Sequence, residues 1–127
     1  MKYLIDTHSF LWHLNATTQL SKTAKEILDN PENENYISQA SLIELAIKLN
    51  LGKLKLLSNW NDLFFYFENA NWRLLPISNA DIILLSNLTM HHGDPFDRIL
   101  VCQAQILNMA MISKDAAFDQ YGIKRIW

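Results

Sequence analysis

Five short runs rich in apolar residues recur along the chain, each too short for a free-standing helix. They constrain the fold more than any other feature. They cover residues 2–5, the triplet Tyr36-Ile37-Ser38, residues 72–77 with Pro76 near the end, residues 109–113 and residues 123–127. They are mostly continuous rather than alternating, which is the pattern of strands covered on both faces. Helical segments lie between them. The potential caps Asp6-Thr7-His8-Ser9 precede Phe10-Leu11-Trp12 and Leu14. Ser21 opens a helix to about Asn30, with Ala24, Ile27 and Leu28 as its apolar stripe. Ser41 and Glu44 read as a capping box for a helix that runs to about Asn50 and stops near Gly52. Ser58 or Asn59 opens a helix through Asn69, and Ser78 or Asn79 one that ends near Leu88. A helical turn covers residues 116–120 until Gly122 breaks it. Strands alternating with helices predict a three-layer α/β/α sandwich around a parallel sheet of about five strands, with right-handed crossovers.

The clearest helix start is His91-His92-Gly93-Asp94-Pro95-Phe96-Asp97-Arg98, which runs into Ile99-Leu100-Val101-Cys102. Asp94 caps the first free N–H groups. Pro95 takes the first helical position, where its missing N–H costs nothing. The helix runs to about Asn108. Asp97, one turn in, lies at the positive end of the helix dipole, which favours its ionised form.

Bulk properties set the frame. A chain of 127 residues, half of them apolar, suits one domain over residues 1–127 with one core. A formal charge of −2 neither demands nor forbids a nucleic-acid partner. The lone cysteine, Cys102, has no internal partner, and its apolar neighbours predict a buried thiol in a reducing compartment. Asp6 interrupts any signal-peptide core, and no apolar run approaches the roughly 20 residues of a membrane span. A soluble, cytoplasmic protein is expected.

Four carboxylates fall at junctions of this pattern. Asp6 follows the first strand, and Glu44 lies in the first turn after the second. Asp97 lies in the first turn of the helix before the fourth strand, and Asp115 follows that strand. Each has an ordinary reading as a cap or turn residue. Together they fall where an open parallel sheet binds ligands, outside the carboxyl ends of its strands. Converging carboxylates repel one another and need a cation. Oxygen ligands without Cys or His at metal spacing select a hard ion, Mg²⁺ or Mn²⁺. Such an ion polarises a phosphoryl group and activates water, which suits phosphodiester hydrolysis.

The chain resembles the PIN-domain ribonucleases, and within them VapC-type toxins of bacterial toxin–antitoxin pairs. The resemblance rests on Leu4-Ile5-Asp6-Thr7-His8, on residues 38–48 with Leu51-Gly52-Lys53-Leu54, and on residues 92–98. It also rests on Ile112-Ser113-Lys114-Asp115 and on the closing Tyr121-Gly122 and Trp127. It implies the sheet order 3-2-1-4-5 and a metal-dependent endoribonuclease that leaves a 5′-phosphate and a 3′-hydroxyl. It further implies a homodimer and inhibition by a cognate antitoxin, with DNA contacted only through that antitoxin. The family's acids map onto Asp6, Glu44, Asp97 and Asp115, and its frequent hydroxyl residue beside the first acid onto Thr7. Gly93 stands where relatives often carry a basic residue, and Ser113 where many carry threonine. Neither change removes a metal ligand. Two other classes stand beside this reading: a non-catalytic PIN-fold binding module, and a receiver-type phosphoacceptor domain. The latter needs paired acids after the first strand, where only Asp6 stands.

With the four acids set aside, nine of thirteen remain against eleven Lys and Arg, so the remaining surface is slightly positive. Lys48, Lys53 and Lys55 lie in a stretch without acids, and Arg98 and Lys114 flank the expected cleft. These are candidate phosphate contacts, with a salt bridge to a neighbouring acid as the other reading of Arg98. Four histidines show no ligand spacing, and His91 and His92 read as surface residues within reach of RNA. Leu63-Phe64-Phe65-Tyr66-Phe67 would encircle a helix with large apolar groups. The preceding helix, with Leu42, Ile43, Leu45, Ala46, Ile47, Leu49 and Leu51, is also broadly apolar. An exposed patch of this kind marks a protein interface: a groove for an antitoxin helix, or part of the dimer contact.

Overall fold

The computed structural model describes residues 1–57, 59–68 and 71–127, except the side chain of Tyr66. Five strands form one parallel sheet in the order β3-β2-β1-β4-β5: β1 Lys2–Ile5, β2 Glu34–Ser38, β3 Trp72–Leu75, β4 Ala110–Ile112 and β5 Arg125–Ile126. The expected order is therefore the observed one. It differs from the flavodoxin-like order 2-1-3-4-5 of receiver-type domains, which removes that alternative. Five α-helices connect the strands: α1 Thr7–Leu14, α2 Lys22–Asp29, α3 Gln39–Asn50, α4 Asn79–Leu85 and α5 Pro95–Leu107. Two 3₁₀ helices, Trp60–Glu68 and Ala116–Tyr121, complete the elements among the described residues.

The pleat sorts the side chains of β1 into two cores. Tyr3 and Ile5 join Phe10, Ala24, Leu28, Ile37, Trp72 and Ile112 on one face. Leu4 joins Leu100, Val101, Ala104, Met111 and Phe118 on the other. Side chains alternate along a strand, so Tyr3, Leu4 and Ile5 are each buried, on one face or the other. That is why the sequence shows runs without alternation. Cys102 is buried and unpaired, and burial raises its thiol pKa. Among the described residues no helix is long and apolar enough to cross a membrane.

Helix α3 starts earlier than the expected capping box requires. Ser38 is its N-cap, accepting from Ala40 N–H at 3.0 Å, so the helix leaves the strand without a loop. Ser41 is buried inside the helix, where its Oγ accepts the Thr7 hydroxyl at 2.9 Å. Glu44 is therefore in the second turn, not the first. A true capping box occurs instead at Ser78 and Asp81, at the start of α4. Residues 60–68 form a 3₁₀ rather than an α-helix, and Ser58 and Asn69, the expected ends of that element, lie outside the described residues. Within it Leu63 is buried and Phe67 half-buried, while Phe64 and Phe65 are exposed. On α3, Leu42 and Leu45 enter the core, and Ile43 and Ile47, with Leu51 at the C-cap, stand exposed at four-residue intervals along one face.

Candidate metal centre

The carboxyl edge of the sheet collects the acids because the strands beside it end in register. Ile5 pairs with Ile112 of β4, and the Asp6 N–H donates to the Ile112 carbonyl at 3.1 Å. Asp6 is then the N-cap of α1, its Oδ1 accepting from Ser9 N–H at 2.8 Å. Its Oδ2 accepts from the Ser113 hydroxyl at 2.6 Å. The Ser113 Oγ in turn accepts from Asp115 N–H at 3.0 Å. Asp115 is half out in solvent and opens the second 3₁₀ helix, its Oδ1 accepting from Ala117 N–H. Partial burial pushes the Asp115 carboxyl up. The Ala117 and His92 hydrogen bonds, with the charge of His92 and His8, outweigh that and hold it below the ordinary range.

Asp94 caps α5 as its position requires: one carboxylate oxygen accepts from Phe96 N–H at 2.8 Å and Asp97 N–H at 3.3 Å. Asp97, the third residue of that helix, is buried. Its carboxyl is pushed up to about 7, first by burial, then by the charge of Asp94; His92 opposes this, and Asp6 and Glu44 add to it. The expectation that the helix dipole keeps Asp97 ionised is thus corrected. A dipole effect near 1 kcal/mol is smaller than desolvation beside three other acids. Glu44 reaches the group from α3. Its Oε2 accepts from Lys48 Nζ at 2.8 Å, while its Oε1 is buried without a hydrogen-bond partner.

Two sets of three groups each bring one ligand atom per residue within 4.8 Å of one another: Glu44, Asp94 and Asp97, and His92, Asp97 and Asp115. Asp97 belongs to both. Asp6 belongs to neither, yet its charge is felt at Asp97. The donors fit a hard cation. A buried carboxylate oxygen without a partner, and a neighbouring carboxyl forced towards protonation by burial and then by like charge, are both relieved by a divalent ion.

His92 is not the surface residue expected. Its side chain is only 15% exposed, and its Nε2 lies 3.1 Å from Asp97 Oδ2 and 2.9 Å from Asp115 Oδ2. Its Nδ1 accepts from Asp94 N–H at 3.1 Å. A usable signal was its place two residues before the cap, where a ring can take the cap's own N–H. The loop that carries it is tied at both ends. Arg98 Nη2 donates to the Leu88 carbonyl at 3.0 Å, and its Nε is buried without a partner. The Tyr121 hydroxyl donates to the Thr89 carbonyl at 2.8 Å and accepts from the N–H groups of His91 and His92 at 3.0 and 2.9 Å.

The other expected substrate contacts are divided. Thr7 is buried and bonded to Ser41, so it joins α1 to α3 rather than facing solvent. Lys48 is paired with Glu44. Lys114 is exposed in a cleft of about 340 Å³ that it lines with Asp6, His8, Trp12 and Asp115. On the other side, a cleft of about 390 Å³ is lined by Glu44, Lys48, Lys53, Asp94 and Phe96, among others. A third cavity, of about 380 Å³ beside Met1, Asn108 and Lys124, is lined by no acid.

The PIN domain family matches residues 3–124. The chain belongs to the PIN-domain family. Among solved structures, this PIN domain is similar to a chain of VapBC2 from Rickettsia felis bound to a DNA fragment from their promoter, at 14% identity and a TM-score of 0.72, covering 99% of this chain and 98% of that one. It is also similar to FitAcB from Neisseria gonorrhoeae, at 16% identity and a TM-score of 0.67, covering 98% and 96%. A third is VapBC-1 from nontypeable Haemophilus influenzae, at 17% identity and a TM-score of 0.65, covering 99% and 97%. At these identities the likeness establishes the fold. No curated protein matches the chain.

Proposed function

We propose that this PIN domain is a Mg²⁺- or Mn²⁺-dependent endoribonuclease and the toxin of a toxin–antitoxin pair. The observation that carries the proposal is the acid cluster around Asp97. Glu44 holds an unpartnered buried oxygen there, at the carboxyl edge of a PIN sheet. Asp6, Glu44 and Asp97 would hold the ion, with Asp115 as the fourth acid, acting through water. When bound, a divalent ion lowers the pKa of a water and polarises the phosphoryl group. The chain's own residues supply the remaining functions. Ser9 and Ser113 fix the Asp6 carboxylate by two hydrogen bonds. Lys114 and Lys48, in the clefts on either side, attract the phosphates flanking the scissile one. Arg98 and Thr7, bonded inward, hold the framework of the site.

The partner surface follows from the exposed apolar face. Ile43, Ile47 and Leu51 on α3, with Phe64 and Phe65, offer helix-in-groove contacts to an antitoxin or to a second copy in a homodimer. The likeness of fold to VapBC2, FitAcB and VapBC-1 supports the antitoxin assignment. DNA would be reached only through that antitoxin, and the site of action would be the cytoplasm. The same apolar face also favours a second reading, a PIN-fold binding module without catalysis.

The test is cleavage of a mixed RNA substrate by the purified chain with Mn²⁺, against an EDTA control. Asp6→Asn and Asp97→Asn should each abolish cleavage with an unchanged circular dichroism spectrum. Wild-type-like cleavage in either variant removes the assigned site. No cleavage and no Mn²⁺ binding by the wild-type chain leaves the binding module.

A further inference from the structure

We propose that His8 and Trp12 form an aromatic subsite beside the acid cluster that takes one unpaired base of the RNA, so that the strand is cut where it is single. This deepens the nuclease reading and rests on it.

His8 and Trp12 lie one turn apart on α1, on the same face of that helix. Their ring centroids are 6.0 Å apart, with the planes inclined at 43°. Both line the cleft of about 340 Å³ that Asp6, Lys114 and Asp115 complete. The cleft therefore opens directly off two of the four acids. His8 is exposed and Trp12 half-buried. A tryptophan ordinarily spends its large apolar area on a core. Trp12 belongs to neither core among the described residues, whereas Leu11 and Leu14 of the same helix pack against one of them. What fixes its ring is Trp127, 5.8 Å away between centroids, which itself packs on that core. The indole is thus anchored while it still lines the cleft.

Lys114 is exposed on the same cleft, and its ammonium has no ion pair or hydrogen bond among the described residues. A free cation beside an anchored aromatic ring is the arrangement that grips a single strand. Charge attracts the phosphate, and the base stacks on the ring whatever its identity. A base reaches such a ring only when it is unpaired and lifted from its neighbours, so a duplex cannot use the subsite.

Fluorescence anisotropy of a labelled RNA decamer of mixed sequence, with Ca²⁺ in place of Mn²⁺ to occupy the acids, reads binding apart from cleavage. The wild-type chain should bind the single strand about 10-fold or more tightly than the same decamer annealed to its complement. Trp12→Leu should weaken single-strand binding by about 10-fold and His8→Ala by about 5-fold, both with the salt dependence unchanged. Trp12→Phe, which keeps a ring, should stay within about 3-fold of the wild type. Lys114→Met should instead flatten the slope of log affinity against log salt by about 0.7. Circular dichroism checks each fold, and the exposed His8 tests the subsite even where Trp12→Leu does not fold. Wild-type affinity in either folded variant, or a duplex bound as tightly as the single strand, overturns the subsite and leaves the nuclease reading intact. Binding of neither RNA by the wild-type chain overturns both.

Discussion

Ser113 and Asp6, 107 positions apart in sequence, are joined by a 2.6 Å hydrogen bond in which the serine hydroxyl donates to the carboxylate. Both side chains are buried. The bond ties the end of β4 to the end of β1, and through Asp115 N–H it also sets the start of the second 3₁₀ helix. Ser113→Ala leaves a buried carboxylate with one donor fewer. A charge-assisted bond of this kind contributes about 1.5–3 kcal/mol. Thermal denaturation should show Tm lowered by roughly 5 °C or more. Ser113→Thr keeps the hydroxyl and should melt near the wild type. Equal melting of the alanine variant would show that the bond contributes nothing.

Tyr121 closes the loop before α5 with three hydrogen bonds to one hydroxyl. Tyr121→Phe removes all three and leaves the ring against His91, 5.1 Å between centroids. The expected loss is about 1–2 kcal/mol of stability. Amide exchange at His91 and His92 should accelerate by about 10-fold or more, because the groups protected by Tyr121 then open locally. Unchanged exchange at these two amides would mean that Arg98 alone holds the loop.

The elements were legible because their ends are chemically explicit. Asp94-Pro95 starts α5, Ser21 starts α2, and Gly122 ends the second 3₁₀ helix at φ 70°. The start of α3 was misread because Ser38 and Ser41 are both acceptable caps. Only the tertiary partner of Ser41, Thr7, decides between them. Asp6, Glu44, Asp97 and Asp115 stand at junctions that the topology brings to one edge, so their approach could be read from position. His92 could not be recognised in the same way. Its role depends on a ring orientation set by Asp94 N–H and on Asp115, 23 positions away. Asp94 was read as a cap, and that assignment holds; its nearness to Glu44 depends on how α3 packs against α5, which no local pattern encodes.

Lys48 and an ion bound at the proposed site would compete for Glu44. The lysine is partly exposed, with 38% of its side chain open to solvent against 7% for the glutamate. Removing it strands a buried charge whose other oxygen already lacks a partner. Exposure of the lysine moderates the cost to about 1–2 kcal/mol. Lys48→Met should therefore melt below the wild type in EDTA and recover further when Mn²⁺ is added. Differential scanning fluorimetry measures both shifts. Equal Mn²⁺-induced shifts in the two proteins would show that lysine and ion do not share the carboxylate.

Asp97 makes the stability of the metal-free protein depend on pH with a definite sign. Its carboxyl is raised from 3.8 to about 7 in the folded chain, by burial first and then by Asp94, with Asp6 and Glu44 adding and His92 opposing. The folded state therefore holds the proton more tightly than the unfolded chain. The stabilisation is complete below about pH 4 and is lost as pH rises through about 7. Its size is on the order of 4 kcal/mol if the whole shift is expressed. Asp97→Asn cannot titrate and keeps His92, so the difference between the two proteins isolates this group. In EDTA, urea unfolding midpoints of the wild type should fall relative to those of the variant between about pH 4 and 7. A divalent ion stabilises the ionised form and should reverse the trend, raising the wild-type midpoint more at about pH 8 than at about pH 5. Parallel midpoint curves in EDTA would show that Asp97 titrates as an ordinary carboxylate.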